Sequence, residues 1–377
     1  MDFRLGSQAP IAKLTRRWTL AGLAAALIIL CSSCGSGSSS HPSHNAYISF
    51  PSSDTIALFH IDDSSGALSS VSNSVPVTHT GPKGLALHPS GKFLFAANST
   101  GNSVSTFSVG SDGSLSQSGT PTPAGVSPFG AVIDHSGAFL LVTNNVSNSI
   151  SIFSVDSGSG ALTLTNTVTG LPNPTEILMT PSGNFVYVLT PSTNNTIWGF
   201  TYSSGTLTPI SGSPFQAGRG TTGIAVDPGE QFLYAANSTD NTVSAFTIAK
   251  PTGELAPIVG SPYSSTAGTA PSTLAVDTTG KFLYVATPGS SSSIWVFSIS
   301  SVPASAGELT PVTGSPFSLT GGSSFLLMEP RGKFFYIGST AASIAGYTYD
   351  TNTGKPAAIS GSPFATGSRP GAVLITH

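Results

Sequence analysis

The chain has 377 residues and a formal net charge of −3, and Lys, Arg, Asp and Glu together make up 8% of it, against about 25% in an average soluble protein. So few cations cannot line a nucleic-acid backbone, which excludes that class of partner. Both cysteines lie in the first 34 residues, so the rest of the chain has neither a disulfide nor a cysteine–zinc site to draw on.

The first segment reads as an export leader. Arg4, Lys13, Arg16 and Arg17 precede an uncharged run from Trp18 to Leu30. Its 13 residues suit a signal-peptide core and fall short of the roughly 20 needed to span a bilayer. Leu30-Cys31-Ser32-Ser33-Cys34-Gly35 resembles a bacterial lipobox. Cys34, behind the small Ser33, is the expected lipidation site, and Cys31, behind bulky Leu30, the weaker candidate. Thr15-Arg16-Arg17 leaves twin-arginine export open beside the general route. The expected division is a lipoprotein-type signal over 1–34, a Gly/Ser-rich tether over 35–44 and a folded domain over 45–377. Plain secretion and a retained membrane anchor are the alternatives. The expected location is the cell envelope, on its periplasmic or outer side, with the membrane reached only through the N-terminal lipid. Without residues 1–33 the formal charge becomes −6.

From Asn45 onward the sequence repeats. Gly-x-Leu-type turns stand at Gly66, Gly113, Gly160, Gly205, Gly253 and Gly307, with a degraded copy at Gly354, 45 to 54 residues apart. Strand-rich repeats of this length read as propeller blades. Within one copy, Leu85–Leu87 is a first strand, His88–Lys92 a tight turn, Phe93–Ala97 a second strand and Val104–Val109 a third. The second strands are apolar at consecutive positions, the pattern of a strand covered on both faces. Turn-and-strand units recur at Ser136, Ser182, Gly229, Thr279 and Arg331, and a Gly-Ser-Pro-aromatic signature at Gly212, Gly260, Gly314 and Gly361 marks an outer-strand exit. The domain opens with a second-strand pattern, Tyr47–Phe50, and closes with a bare first-strand pattern, Arg369–Ile375. The last strand should therefore complete the first blade and remove two exposed edges. The fold expected is all-β: a seven-bladed β-propeller of four antiparallel strands per blade.

The Pro-x-Gly, Ser-Gly-Lys-Phe-Leu-Tyr/Phe and Gly-x-Leu pattern over residues 45–377 resembles the seven-bladed propellers of the lactonase family. That family includes bacterial 6-phosphogluconolactonases of the propeller type and fungal carboxymuconate-cyclising enzymes. The resemblance implies the propeller fold and, in the enzyme members, a Gly-Pro-Arg-His stretch entering an inner strand and an Asn-Glu pair ending the next. The matching positions here are Pro174-Thr175-Glu176 and Leu189-Thr190-Pro191, without that arginine, histidine or glutamate.

Strand order places the loops that enter inner strands, and those that join second to third strands, on one face, where propeller ligands sit. Lys83, Phe129, Asn98, Asn144, Asn145 and Asn237 are expected there as the ligand-binding face. Glu176 is the candidate catalytic base, because its register position holds Gly84, Gly130, Gly223, Thr273, Phe325 and Ala372 in the other copies. A lone carboxylate partly buried at a channel mouth has a raised pKa. Arg219 and Arg369 are candidates for steadying an oxyanion. His88, Asp134, Asp227, Asp277 and Glu329 share one position before a turn, one per blade, too dispersed for one ion and suited to bonding turn amides. His60, His79, His88 and His135 show no paired metal-ligand spacing, Asp62-Asp63 reads as a solvated turn, and Trp198 and Trp295 as inter-blade packing. Neither a metal nor a cofactor is expected. The leading functional expectation is a monomeric envelope propeller that binds a small molecule, glycan or envelope protein, with degenerate or absent catalysis. The alternatives are a lactone hydrolase or cycloisomerase using Glu176, and a structural envelope component.

Overall fold

The computed structural model describes residues 44–71, 75–76, 80–191, 195–264, 270–288, 292–319, 323–339 and 341–376. Cys31, Cys34, His79, the leader and all but the last residue of the tether lie outside them. Apart from a 3-10 turn at Pro303–Ser305, the regular structure of the described residues is strand. It forms seven successive antiparallel sheets, each ordered first to fourth strand from the centre outward. The consecutive apolar runs become the second strands. Phe93–Asn98, Phe185–Thr190, Phe232–Asn237, Phe282–Thr287 and Phe334–Ser339 are buried at every position. Each is packed between two blades, which is why alternation is absent.

The ring closes as the termini of the domain implied. Val373–Ile375 pairs antiparallel with His44–Phe50, Ile48 opposite Val373 and Ala46 opposite Ile375, so the last segment is the inner strand of the first blade. That strand starts at His44, one residue earlier than expected, and His44 is buried.

Two of the sequence signatures meet between blades. The Gly of each Gly-x-Leu hairpin has positive φ, from 69° to 82°, where a side chain is strained. At six of the seven it also receives an aromatic ring from the blade before. A Cβ on Gly253 would lie 2.5 Å from Phe185, on Gly307 2.5 Å from Phe232, and on Gly66 2.6 Å from Phe334. The Phe that opens a second strand and the Gly of the next hairpin are thus two halves of one contact.

The Gly-Ser-Pro signature explains the broken outer edges. In blades four to seven the fourth strand is split into two short pieces pairing with the same third strand. At the break, the third strand's amide donates to a serine hydroxyl: Gly199 to Ser213, Ala245 to Ser261, Val296 to Ser315 and Gly346 to Ser362, at 2.9 to 3.0 Å. The side chain replaces the missing ladder acceptor, as a buried amide requires.

Candidate functional site

The register that singled out Glu176 is a ring in space. Gly84, Gly130, Glu176, Gly223, Thr273, Phe325 and Ala372, one from each inner strand, all line a single axial cavity of about 500 Å³. Glycine on three of these positions leaves room beside the carboxyl. Two of those glycines also permit close backbone approach, because a Cβ on Gly84 would meet the Phe129 carbonyl, and one on Gly130 the Thr175 carbonyl at 2.6 Å. The rest of the wall mixes the hydroxyl residues Thr175, Thr222, Ser272 and Ser324 with apolar Leu85, Ala131, Ile177, Leu326 and Val373.

Glu176 keeps partial accessibility along the channel, but its carboxyl is enclosed by the inner strands. That enclosure pushes its pKa up to about 7, offset in part by a hydrogen bond of 2.9 Å accepted from the Ile224 amide of the next blade. The group therefore changes charge near neutral pH, as a proton-transferring carboxylate needs to.

Above it, a second cavity of about 470 Å³ is lined by Pro51, Ser52, Lys83, Phe129, Ser324, Arg369, Pro370 and Gly371. It shares Lys83, Phe129, Ser324 and Gly371 with the channel, so the two are one path from solvent to Glu176. The Lys83 ammonium lies 4.7 Å from the centre of the Phe129 ring, a cation–π distance. Lys83 and Arg369 thus place two cations at the mouth of a channel in which, among the described residues, Glu176 is the only ionisable wall residue besides Lys83. Ser324, on both linings, has a buried Oγ with no hydrogen-bond partner among the described residues. Sequence reading did not single it out. Its position, one residue before the Glu176 register in its own blade, was the available signal.

Other expected residues lie elsewhere. Asn98, Asn144 and Asn237 are fully buried, and their amides donate to Ser or Thr hydroxyls of the adjoining third strand. They pin that corner of their own blades and present nothing to the open face. Asn145 is half-buried and donates to the Pro174 carbonyl at 3.3 Å. Arg219 is exposed and held by Asp240 at 2.7 Å, a surface ion pair outside the channel lining.

The acidic row does what turn carboxylates do. Asp277 accepts from the amides of Thr279, Lys281 and Phe282, Asp227 from those of Gly229, Gln231 and Phe232, and Glu329 from those of Arg331 and Lys333. Asp134 binds Tyr202 of the following blade rather than its neighbour His135, which is exposed. His88 is buried, its Nδ1 2.7 Å from Ser90 Oγ. Trp295 is buried and Trp198 half-buried in inter-blade clusters, each stacked on a Phe two residues on. Asp62 is the exposed turn residue anticipated, accepting from Ser64 and Ser65. Asp63 is not: it is half-buried between His44 (2.9 Å) and Arg331 (3.0 Å). Among the described residues no His, Cys, Asp and Glu side chains gather three together as metal ligands would.

Fold and site together define a closed seven-bladed propeller with an axial channel, one acid in its wall and cations at its mouth. The family model for the lactonase seven-bladed β-propeller matches residues 77–179 and 177–374, and the chain belongs to that family. Among solved structures, a 6-phosphogluconolactonase candidate from Bacteroides fragilis is 19% identical with a TM-score of 0.77, over 90% of this chain and 99% of that one. A periplasmic gluconolactonase from Pseudomonas aeruginosa is 17% identical with a TM-score of 0.75, over 89% and 99%. At these identities the likeness is one of fold. No curated protein matches the chain.

Proposed function

We propose that this propeller is a lactone hydrolase acting outside the cytoplasm, with Glu176 as its general base. The observation that carries the reading is the single channel carboxyl with a pKa of about 7. Once ionised, Glu176 removes a proton from a water molecule as that water attacks the lactone carbonyl. The ring C–O bond then breaks, and the proton returns to the departing oxygen, giving the open hydroxy acid. Lys83 and Arg369 attract an anionic substrate to the mouth, Phe129 offers it an apolar face, and a wall that mixes hydroxyl and apolar residues suits a polyol ring, which has both kinds of surface. The extracytoplasmic setting rests on the leader and Cys34, and family membership supports the reaction class.

A second reading is a binding propeller without chemistry. It is favoured by the absence, at Thr175-Glu176 and Thr190-Pro191, of the arginine, histidine and glutamate of the enzyme members. Acid release from a panel of sugar lactones, with and without phosphate, separates the two. Hydrolysis should rise with pH through about 7 and fall at least about a hundredfold in Glu176→Gln. No turnover above buffer across the panel would overturn the hydrolase reading, and undiminished turnover in Glu176→Gln would remove the base.

A further inference from the structure

Blade three differs from its neighbours at the outer edge. Blades four to seven break the fourth strand at Gly-Ser-Pro, and blade two divides it into Leu115–Gln117 and Thr122–Pro123. Blade three instead runs one fourth strand from Leu162 to Thr169, paired along its length with Ser149–Val155. Six of its eight residues are exposed. It contains neither proline nor charge, the devices that normally blunt an edge. A bulge at Thr165, between the Ile152–Asn166 and Phe153–Leu164 pairs, is the one protection present, and it leaves Asn166–Thr169 regular. The Thr167 amide finds no strand outside it and donates to the Asn166 Oδ1 at 2.8 Å.

The surroundings point the same way. Three of the five large exposed hydrophobic residues among the described residues, Val126, Val146 and Leu164, are on this blade. Leu164 projects from the edge strand itself. Val146 lies in the turn whose Asn148 carbonyl accepts from Gly170 and Leu171, next to the strand's end. Between 124 and 171 there is no Lys, Arg or Glu, and of the two aspartates Asp134 is buried.

We infer that the Leu162–Thr169 edge pairs antiparallel with the same edge of a second copy of this chain, forming a two-fold dimer. Self-pairing brings no like charges together, lays Thr-rich faces against each other, and covers Leu164 and the unladdered Thr167 amide. A short strand pair buries less than the roughly 1,200–2,000 Å² of a stable complex. The dimer is therefore weak, with a Kd on the order of micromolar.

Sedimentation velocity of the full chain over a concentration series tests this. Thr167→Pro removes an amide that serves no ladder inside the blade, so the fold tolerates it. Leu164→Lys charges the edge. The wild type should dimerise with rising concentration. Each variant should stay monomeric, with its circular dichroism and melting temperature near those of the wild type. A wild type that is monomeric up to about 100 µM, or a dimer that survives in both variants, would overturn the inference. So would a monomer that instead captures an extended Thr-rich peptide on this edge.

Discussion

The Tyr336 hydroxyl donates to the Gly66 carbonyl at 2.8 Å, joining two residues 270 positions apart across the place where the ring closes. It repeats a latch used elsewhere. Tyr47 reaches Gly113, Tyr187 Gly253, Tyr234 Gly307 and Tyr284 Gly354, each from a second strand to the next blade's hairpin. The seam is therefore held by this latch and by the Val373–Ile375 strand, beside the Phe334 ring on Gly66 and the Arg331–Asp63 ion pair.

Tyr336→Phe keeps the packed ring and leaves the buried Gly66 carbonyl unpaired, so it should cost about 1–2 kcal/mol by chemical denaturation. Deleting residues 369–377 removes the inner strand of the first blade and exposes the edge of His44–Phe50. It should lower the melting temperature much further and favour association. A deletion variant as stable as Tyr336→Phe, and no more associated than the wild type, would show that the ring closes without that strand.

Glycine hairpins allow strain and crowding to be separated. Gly91 and Gly253 have φ of 72° and 75°, but a Cβ meets nothing within 4 Å at Gly91, whereas at Gly253 it meets Phe185 at 2.5 Å. Gly91→Ala should cost only the left-handed backbone, about 1 kcal/mol. Gly253→Ala adds the displacement of a packed ring and should cost about 2–4 kcal/mol in all. Equal losses in the two variants would mean that the Phe–Gly contact contributes nothing.

The repeat makes most of this architecture legible in the sequence. Consecutive apolar residues at Phe93–Ala97 imply burial on both faces, and the bare strand at Arg369–Ile375 implies closure. The channel ring was legible at Glu176 because a rigid repeat turns an unusual residue at a fixed register into an unusual wall position. The asparagines misled because strand ends and loop tips look alike in sequence. Asn98, Asn144 and Asn237 are the last residues of their second strands, so their side chains turn into the blade. Arg219 misled because Asp240, 21 positions away, is brought beside it only by the loop geometry. His44 read as tether, since Asp63 reaches it only through the hairpin that pairs His44 with Ile61, and Glu329 only through the closing of the ring.

Asp63 should mark the acid limit of that seam. Burial alone would lift its pKa, but the Arg331 guanidinium and the His44 imidazole outweigh it and hold the carboxyl below the usual aspartate range. A lowered folded pKa contributes stability above the unfolded value and loses it as pH falls through the folded one. Asp63→Asn should therefore be less stable than the wild type at pH 7, by about 1 kcal/mol for a pair this open to solvent. The gap should close in strong acid. A gap that persists unchanged in acid would place the loss in packing rather than in the ion pair.

Glu176 gives the opposite sign. Its folded pKa of about 7 stands above the 4.5 of a free glutamate, so its contribution is fully present below about 4.5 and is lost as pH rises through 7. The wild type is then forced to hold a carboxylate in the channel at alkaline pH. Glu176→Gln removes that cost and keeps the shape. It should match the wild type near pH 4 and exceed it near pH 8 by about 1–3 kcal/mol, water in the channel reducing the full linkage value. Melting temperatures of the two proteins at the two pH values check this without any substrate. A variant that gains stability at pH 8 while losing turnover would show an acid kept in an unfavourable place for its chemistry. A variant equally stable at both pH values would mean that Glu176 is solvated, without the raised pKa that suits it to the proposed reaction.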